Sequence, residues 1–305
     1  MVASNSAITP EEMIEEFLPF GSPPLMENQM LDRYIDNPVI HCMAYGDPGS
    51  EKSTFAASFP KPLIVLFFDP YAKGGPYRRR GAKYTEAVSP TNPQGYVWSD
   101  KFKVNFEFIL STANPGEAAI VLVHLHDMDV RKGAQGVYAA EKFEHLYLHL
   151  APMCELGIWG TICLDSLTTF EVAIRKYNQY KLNPFSNQGN KQDARQWYGA
   201  SAEGLEETCF ALTTLPTNVV VPAHVAEKMQ PMNTSVLWMP EAPGKRGRLL
   251  PAGFSEVYHV QYDDDAQTNL LQCHRSSAIF ACTQVNVPNG VAPRYDQLWE
   301  ESPSA

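Results

Sequence analysis

The chain has 305 residues, 44% hydrophobic and 19% charged, the balance of a folded globular protein rather than a disordered one. Lys and Arg number 24 against 34 Asp and Glu, a formal net charge of −10, which excludes a protein coated in positive charge in the manner of a histone. No run reaches the ~18 uninterrupted apolar residues of a membrane span, and the six cysteines form no CxxC pair, so a cytoplasmic protein with buried free thiols and no membrane partner is expected.

Residues 1–36 read as an acidic N-terminal extension. Thr9-Pro10 starts a short helix to Leu18, and Glu11, Glu12, Glu15 and Glu16 stand where a secretory signal needs a basic start. A single domain is expected over 37–290, with 291–305 as a tail. Its first strand is Val39 to Tyr45, followed by a Gly-rich turn and a short helix near Ser53–Ser58. Leu63 to Phe68 is a continuous apolar run, the mark of a parallel strand covered on both faces. Residues 70–117, rich in Pro, Gly and Tyr, read as an insertion of hairpins and loops. Strands are then expected at Ala119–His126, Gly160–Asp165 and Val219–Val221. Between them, Val137, Ala140, Phe143, Tyr147 and Leu150 mark one helix, Leu167, Phe170, Ile174 and Tyr177 a second, and Leu205, Cys209 and Leu212 a third. The stretches 234–239, 256–262, 269–275 and 278–283 read as short antiparallel strands at the C-terminal edge. The fold class is therefore α/β: a mainly parallel central sheet flanked by helices, with antiparallel strands at that edge.

The chemistry concentrates in Gly46-Asp47-Pro48-Gly49-Ser50-Glu51-Lys52-Ser53-Thr54, which follows a predicted strand and opens a predicted helix. That is the context of a phosphate-binding loop, whose main-chain N–H groups surround a polyphosphate. Lys52 would reach the β- and γ-phosphates and Ser53 would ligate Mg²⁺. The pattern has Gly immediately before the Lys, and this chain has Glu51. If that position needs positive φ, a non-Gly residue costs roughly 1–3 kcal/mol of strain. A carboxylate ~4 Å from a phosphate charge would add up to ~4 kcal/mol at an effective dielectric of about 20. Asp165, closing an apolar strand, is the second candidate metal ligand. His224, after Val219 to Ala223, is expected at a strand end as a sensor of the γ-phosphate.

The order Tyr45-Gly-Asp-Pro-Gly-Ser-x-Lys-Ser-Thr-Phe-Ala-Ala-Ser-Phe-Pro, then Ile162-Cys-Leu-Asp-Ser-Leu-Thr, then Val221-Pro-Ala-His resembles the phage-encoded RecA-like P-loop ATPases, including the single-strand-annealing recombination ATPases. The resemblance spans about residues 37–285. It implies a RecA-like core, ATP and Mg²⁺ as ligands, a role in DNA recombination or replication, and copies assembled side by side on single-stranded DNA in a host cytoplasm. RecA-type enzymes carry a catalytic Glu just after the second strand, where this chain has Tyr71; Asp69 is the candidate water-orienting substitute.

Two basic clusters are candidate contacts to DNA or to a neighbouring subunit. Arg78, Arg79 and Arg80 follow Tyr77, with Lys73, Lys83 and Tyr84 nearby, and their aromatics suit base stacking. Lys245, Arg246 and Arg248 lie in a Gly/Pro loop. Zinc finds little support: His124-Leu-His126-Asp127 has no closing His, and His145 and His149 lack the glutamate of HExxH. The alternative to an ATPase is a non-hydrolysing scaffold that keeps the fold; Glu51 and Tyr71 favour it, Lys52, Ser53, Thr54 and Asp165 the enzyme.

Overall fold

β1 (His41–Gly46) and β2 (Leu63–Phe67) are apolar runs with almost every residue buried. Such runs need helices over both faces of the sheet, and the computed structural model shows that arrangement. It describes residues 39–69, 75–77, 96–99, 104–110, 118–127, 137–182, 194–229, 236–243, 245–285 and 287–299. The expected helix to Leu18, Tyr71, Lys73, Arg78, Arg79, Arg80, Lys83 and Tyr84 lie outside the described residues.

The remaining strands are β3 (Tyr96–Ser99), β4 (Val104–Leu110), β5 (Ala118–His124), β6 (Thr161–Asp165), β7 (Asn218–Met229), β8 (Val236–Pro240), β9 (Glu256–Asp263) and β10 (Thr268–Gln272). Their order is β10-β9-β1-β7-β6-β2-β5-β4-β3, with β8 paired to the far half of β7. The six strands from β9 to β5 are mutually parallel. β10, β8, β4 and β3 run antiparallel to their neighbours. Two expectations are corrected here. β9 joins β1 in parallel rather than antiparallel, as its run of five buried residues from Glu256 to Val260 allows. The stretch 278–283 supplies isolated bridges at Ile279 and Cys282 rather than a strand.

Alternation along the strands divides the core. Met43, Tyr45, Ile64, Leu66, Val121, Val123, Ile162 and Leu164 face α2 (Ala139–Glu155), α3 (Leu167–Tyr177) and α4 (Ala194–Thr213). Cys42, Ala44, Val65, Phe67, Leu122 and Cys163 face α1 (Lys52–Ala56) and the C-terminal segment. α3 begins on a capping box, Ser166 with Thr169, which fixes its start directly after β6. α2 starts where Asp127 Oδ1 accepts from the N–H groups of Tyr138 and Ala139, 2.9 Å each.

The C-terminal segment is bound to the α1 face. Glu256, fully buried on β9, accepts from Tyr258 Oη (2.6 Å) and from the N–H groups of Gln284 (2.8 Å) and Val285 (3.2 Å). Farther on, Tyr295 N–H donates to Ser58 Oγ (2.8 Å), the Tyr295 ring lies 4.8 Å from Phe59, and Leu298 is buried. Residues 291–299, set apart as a tail in the sequence, thus pack against the domain. Among the described residues, no helix is long and apolar enough to cross a membrane.

Candidate functional site

All six parallel strands end at the same edge of the sheet, and the glycine-rich loop leaves β1 there. A Cβ on Gly46 would stand 2.2 Å from the carbonyl oxygen of Val260 on β9 and 2.7 Å from Ser50 Oγ, so only glycine fits. Asp47, Pro48 and Gly49 form the exposed outer arc, Gly49 at φ +87°. Glu51 has φ 65° and ψ 20°, the left-handed region, and its side chain is exposed. The strain expected of a non-glycine residue is present, roughly 1–3 kcal/mol, while the carboxylate is left in water.

Lys52 is buried and points back into the loop. Its Nζ donates to Gly46 O (2.8 Å), Asp47 O (2.6 Å) and Ser50 Oγ (3.1 Å), one acceptor for each proton of the ammonium. Burial lowers its pKa to about 8, against the pull of Asp165 and Asp47, so it remains a cation at pH 7. Ser53 and Thr54 follow on α1, half-buried.

Ser53 Oγ donates to Asp165 Oδ2 at 2.8 Å, joining two residues 112 positions apart. The same carboxylate oxygen accepts from Tyr77 Oη at 2.6 Å. Burial raises the Asp165 pKa; the bonds from Tyr77 and Ser53 and the Lys52 charge oppose that, and Asp69 adds to it. Tyr77 also lies 3.4 Å from Cys163 Sγ and is fully buried. This overturns Tyr77 as a base-stacking aromatic: it braces the site from below. Nothing in its Tyr-Arg-Arg-Arg context signals that role, which comes from the short helical turn 75–77 bringing Tyr77 to Cys163 and Asp165. Asp69 lies two residues beyond β2, whose Phe67 is the register partner of Asp165.

His224 is not at a strand end, because β7 runs on to Met229. It sits opposite Gly46, where the pairing of β7 with β1 stops. Its N–H donates to Thr168 Oγ1 (3.1 Å) and its ring lies 4.0 Å from Glu241. Lys245, Arg246 and Arg248 are not in an open loop either: Lys245 precedes α5 (Arg246–Leu249), and Arg246 pairs with Glu206 of α4 at 3.5 Å. Arg248 and Lys245 are exposed. Among the described residues no cluster of His, Cys, Asp or Glu has the makings of a metal site by itself. A hard cation such as Mg²⁺ takes oxygen donors and shares them with a phosphate ligand. The Ser53 hydroxyl and Asp165 carboxylate, touching at the mouth of the loop, fit that demand.

This geometry agrees with the match of residues 39–284 to the AAA domain family. The chain belongs to that family. Its AAA domain is therefore a nucleotide-binding P-loop ATPase domain, built on the α/β sheet described above. No curated protein gives a match. Among solved structures, the flagellar accessory protein FlaH from Methanocaldococcus jannaschii aligns at a TM-score of 0.32 and 9% identity, over 82% of this chain and 85% of that one.

Proposed function

We propose that the chain binds Mg·ATP at residues 46–54 and hydrolyses it. The observation that carries this reading is the Ser53–Asp165 contact of 2.8 Å beside the buried Lys52 ammonium. Lys52 exchanges its three loop acceptors for β- and γ-phosphate oxygens; the main-chain N–H groups of Gly46 to Thr54 hold the remaining charge. Ser53 and Asp165 hold Mg²⁺, which when bound neutralises developing phosphate charge. Asp69 orients water, and His224 reads the phosphate state at the junction of β7 with β1. The setting in DNA recombination or replication, with single-stranded DNA and further copies of the chain as partners, rests on the sequence resemblance to phage RecA-like ATPases and on the exposed Lys245 and Arg248.

A second reading is supported by one observation. Glu51 sits in the left-handed region where the loop needs glycine, so the loop is strained before any ligand arrives. In that reading the chain binds nucleotide weakly or not at all and serves as a DNA-binding or assembly scaffold. Calorimetric binding and turnover of Mg·ATP, with and without single-stranded DNA, decide between the two. Turnover by the unaltered chain and its loss in Lys52→Ala supports the enzyme. Binding or turnover gained only in Glu51→Gly supports the scaffold, and no binding by either removes the loop assignment.

A further inference from the structure

His126 has a ring nitrogen, Nδ1, that is shielded from solvent and has no hydrogen-bond partner. Such an orphan is uncommon in native structures and points to a role. Its place is set by register. On the parallel strands β6, β2 and β5, Asp165 pairs with Phe67 and Phe67 with His124. The ladder continues past β2, where Phe68 N–H donates to Asp165 O (2.9 Å) and Leu125 N–H donates to Phe67 O (2.8 Å). Asp69 and His126 lie two residues beyond Phe67 and His124, the last paired positions, and the Asp69 charge acts on the His126 ring. Side chains two residues apart share a face. Phe67 and Leu122 belong to the α1 side of the core, so Asp165, Asp69 and His126 form a row on the side from which Ser53 reaches Asp165.

We propose that Asp69 and His126 form a water-activating pair, in which Asp69 orients the attacking water and His126 Nδ1 takes its proton. The proposal rests on the Mg·ATP reading above. In the step, the water O–H bond breaks with its proton passing to Nδ1, and the oxygen bonds to the γ-phosphorus. The bond from that phosphorus to the bridging oxygen breaks with its electron pair left on ADP; the proton then returns to phosphate or solvent.

The charged surroundings suit that role. His124, two residues before it at the end of β5, is bonded to the buried Glu107 of β4 at 3.4 Å; Asp127 follows it, and the Asp69 charge beyond β2 acts on it. Burial and His124 lower the His126 pKa below 6.5 while Asp127 and Asp69 oppose them, so the ring is neutral at pH 7 and Nδ1 can accept. Its protonation in acid removes the acceptor, so turnover falls as pH drops through that pKa.

The test is Mg·ATP binding and single-turnover hydrolysis by the full chain across about pH 5 to 8.5, for the unaltered protein, His126→Gln and His126→Asn. Expected are binding within about twofold, turnover lowered on the order of a hundredfold at neutral pH, and loss of the acid limb. Two variants guard against a folding defect, since retained binding reports an intact loop. Turnover within about threefold of the unaltered chain, or an acid limb that persists, overturns the pair. An unaltered chain that binds Mg·ATP without hydrolysing it also overturns the pair, while leaving the nucleotide site standing. Absence of binding removes the nucleotide reading first and this proposal with it.

Discussion

On the β1–β9 side of the site, Lys52 is held by two main-chain carbonyls and one hydroxyl of its own loop. On the β6–β2–β5 side, Asp165 is held by two hydroxyls brought from separate elements, Ser53 and Tyr77. Each side also contains a histidine with an unpartnered Nδ1. His259 of β9 is almost fully buried, stacked 4.8 Å from Tyr45 and edge-on to Trp238 at 5.3 Å. His126 is half-buried two residues beyond the end of β5, where the Asp127 and Asp69 charges act on it. The same orphan atom thus marks packing on one side and chemistry on the other. Charged groups act on both rings, Asp47 and Lys52 on His259 and Asp127 and Asp69 on His126; what sets His259 apart is its packing against Tyr45 and Trp238.

Substitutions on the two sides sharpen this contrast. The largest effect is expected from Gly46→Ala, where the new methyl meets a main-chain oxygen at 2.2 Å that cannot swing away. A loss of about 3 kcal/mol or more, measured by denaturant unfolding, and loss of nucleotide binding are expected. An unchanged midpoint would mean β9 yields easily. His259→Phe should keep the ring stack and change only the acid behaviour. Burial lowers the His259 pKa to about 4 from 6.5. In that window the unfolded chain binds more protons, so stability falls as pH drops from 6.5 towards 4, by roughly 3 kcal/mol. The Phe variant should lose that slope in urea titrations; an identical slope would move the titrating group elsewhere.

Smaller effects belong to the other two positions. Tyr77→Phe removes one charge-assisted bond from Asp165, worth about 2 kcal/mol, and should raise the Asp165 pKa further. Carboxyl infrared titration reads the shift directly, and an unmoved carboxyl band counts against the brace. Glu51→Gly relieves the left-handed strain and should stabilise the chain by about 1 kcal/mol, less whatever flexibility glycine adds to the unfolded state. A destabilised Glu51→Gly would show that the backbone there is not strained.

The loop, Ser53 and Asp165 were legible because each lies on a local pattern: an apolar strand, a glycine-rich turn, a closing carboxylate. Tyr77 and the Asp69–His126 pair were not: Tyr77 reaches Asp165 from a short turn 88 positions away, and the pair depends on lateral register between strands distant in sequence. The parallel course of β9 was readable in principle from the unbroken buried run Val257-Tyr258-His259-Val260, but the short strands around it suggested a meander. His224 reads as a strand end because sequence shows where an apolar run stops, not whether the backbone pairing continues, and Arg246 reads as loop because its short helix is flanked by Gly and Pro.

Glu256 bears on how far this protein can be trimmed. Its carboxylate draws two of its three hydrogen bonds from Gln284 and Val285, at the very limit of the family match, and Tyr295 and Leu298 pack farther along. A minimal fragment cut at 284 would lose the Val285 hydrogen bond to the buried Glu256 and uncover Phe59. The shortest self-sufficient unit therefore extends through residue 299, so a shortened version meant for crystallisation or fusion should keep those last fifteen positions.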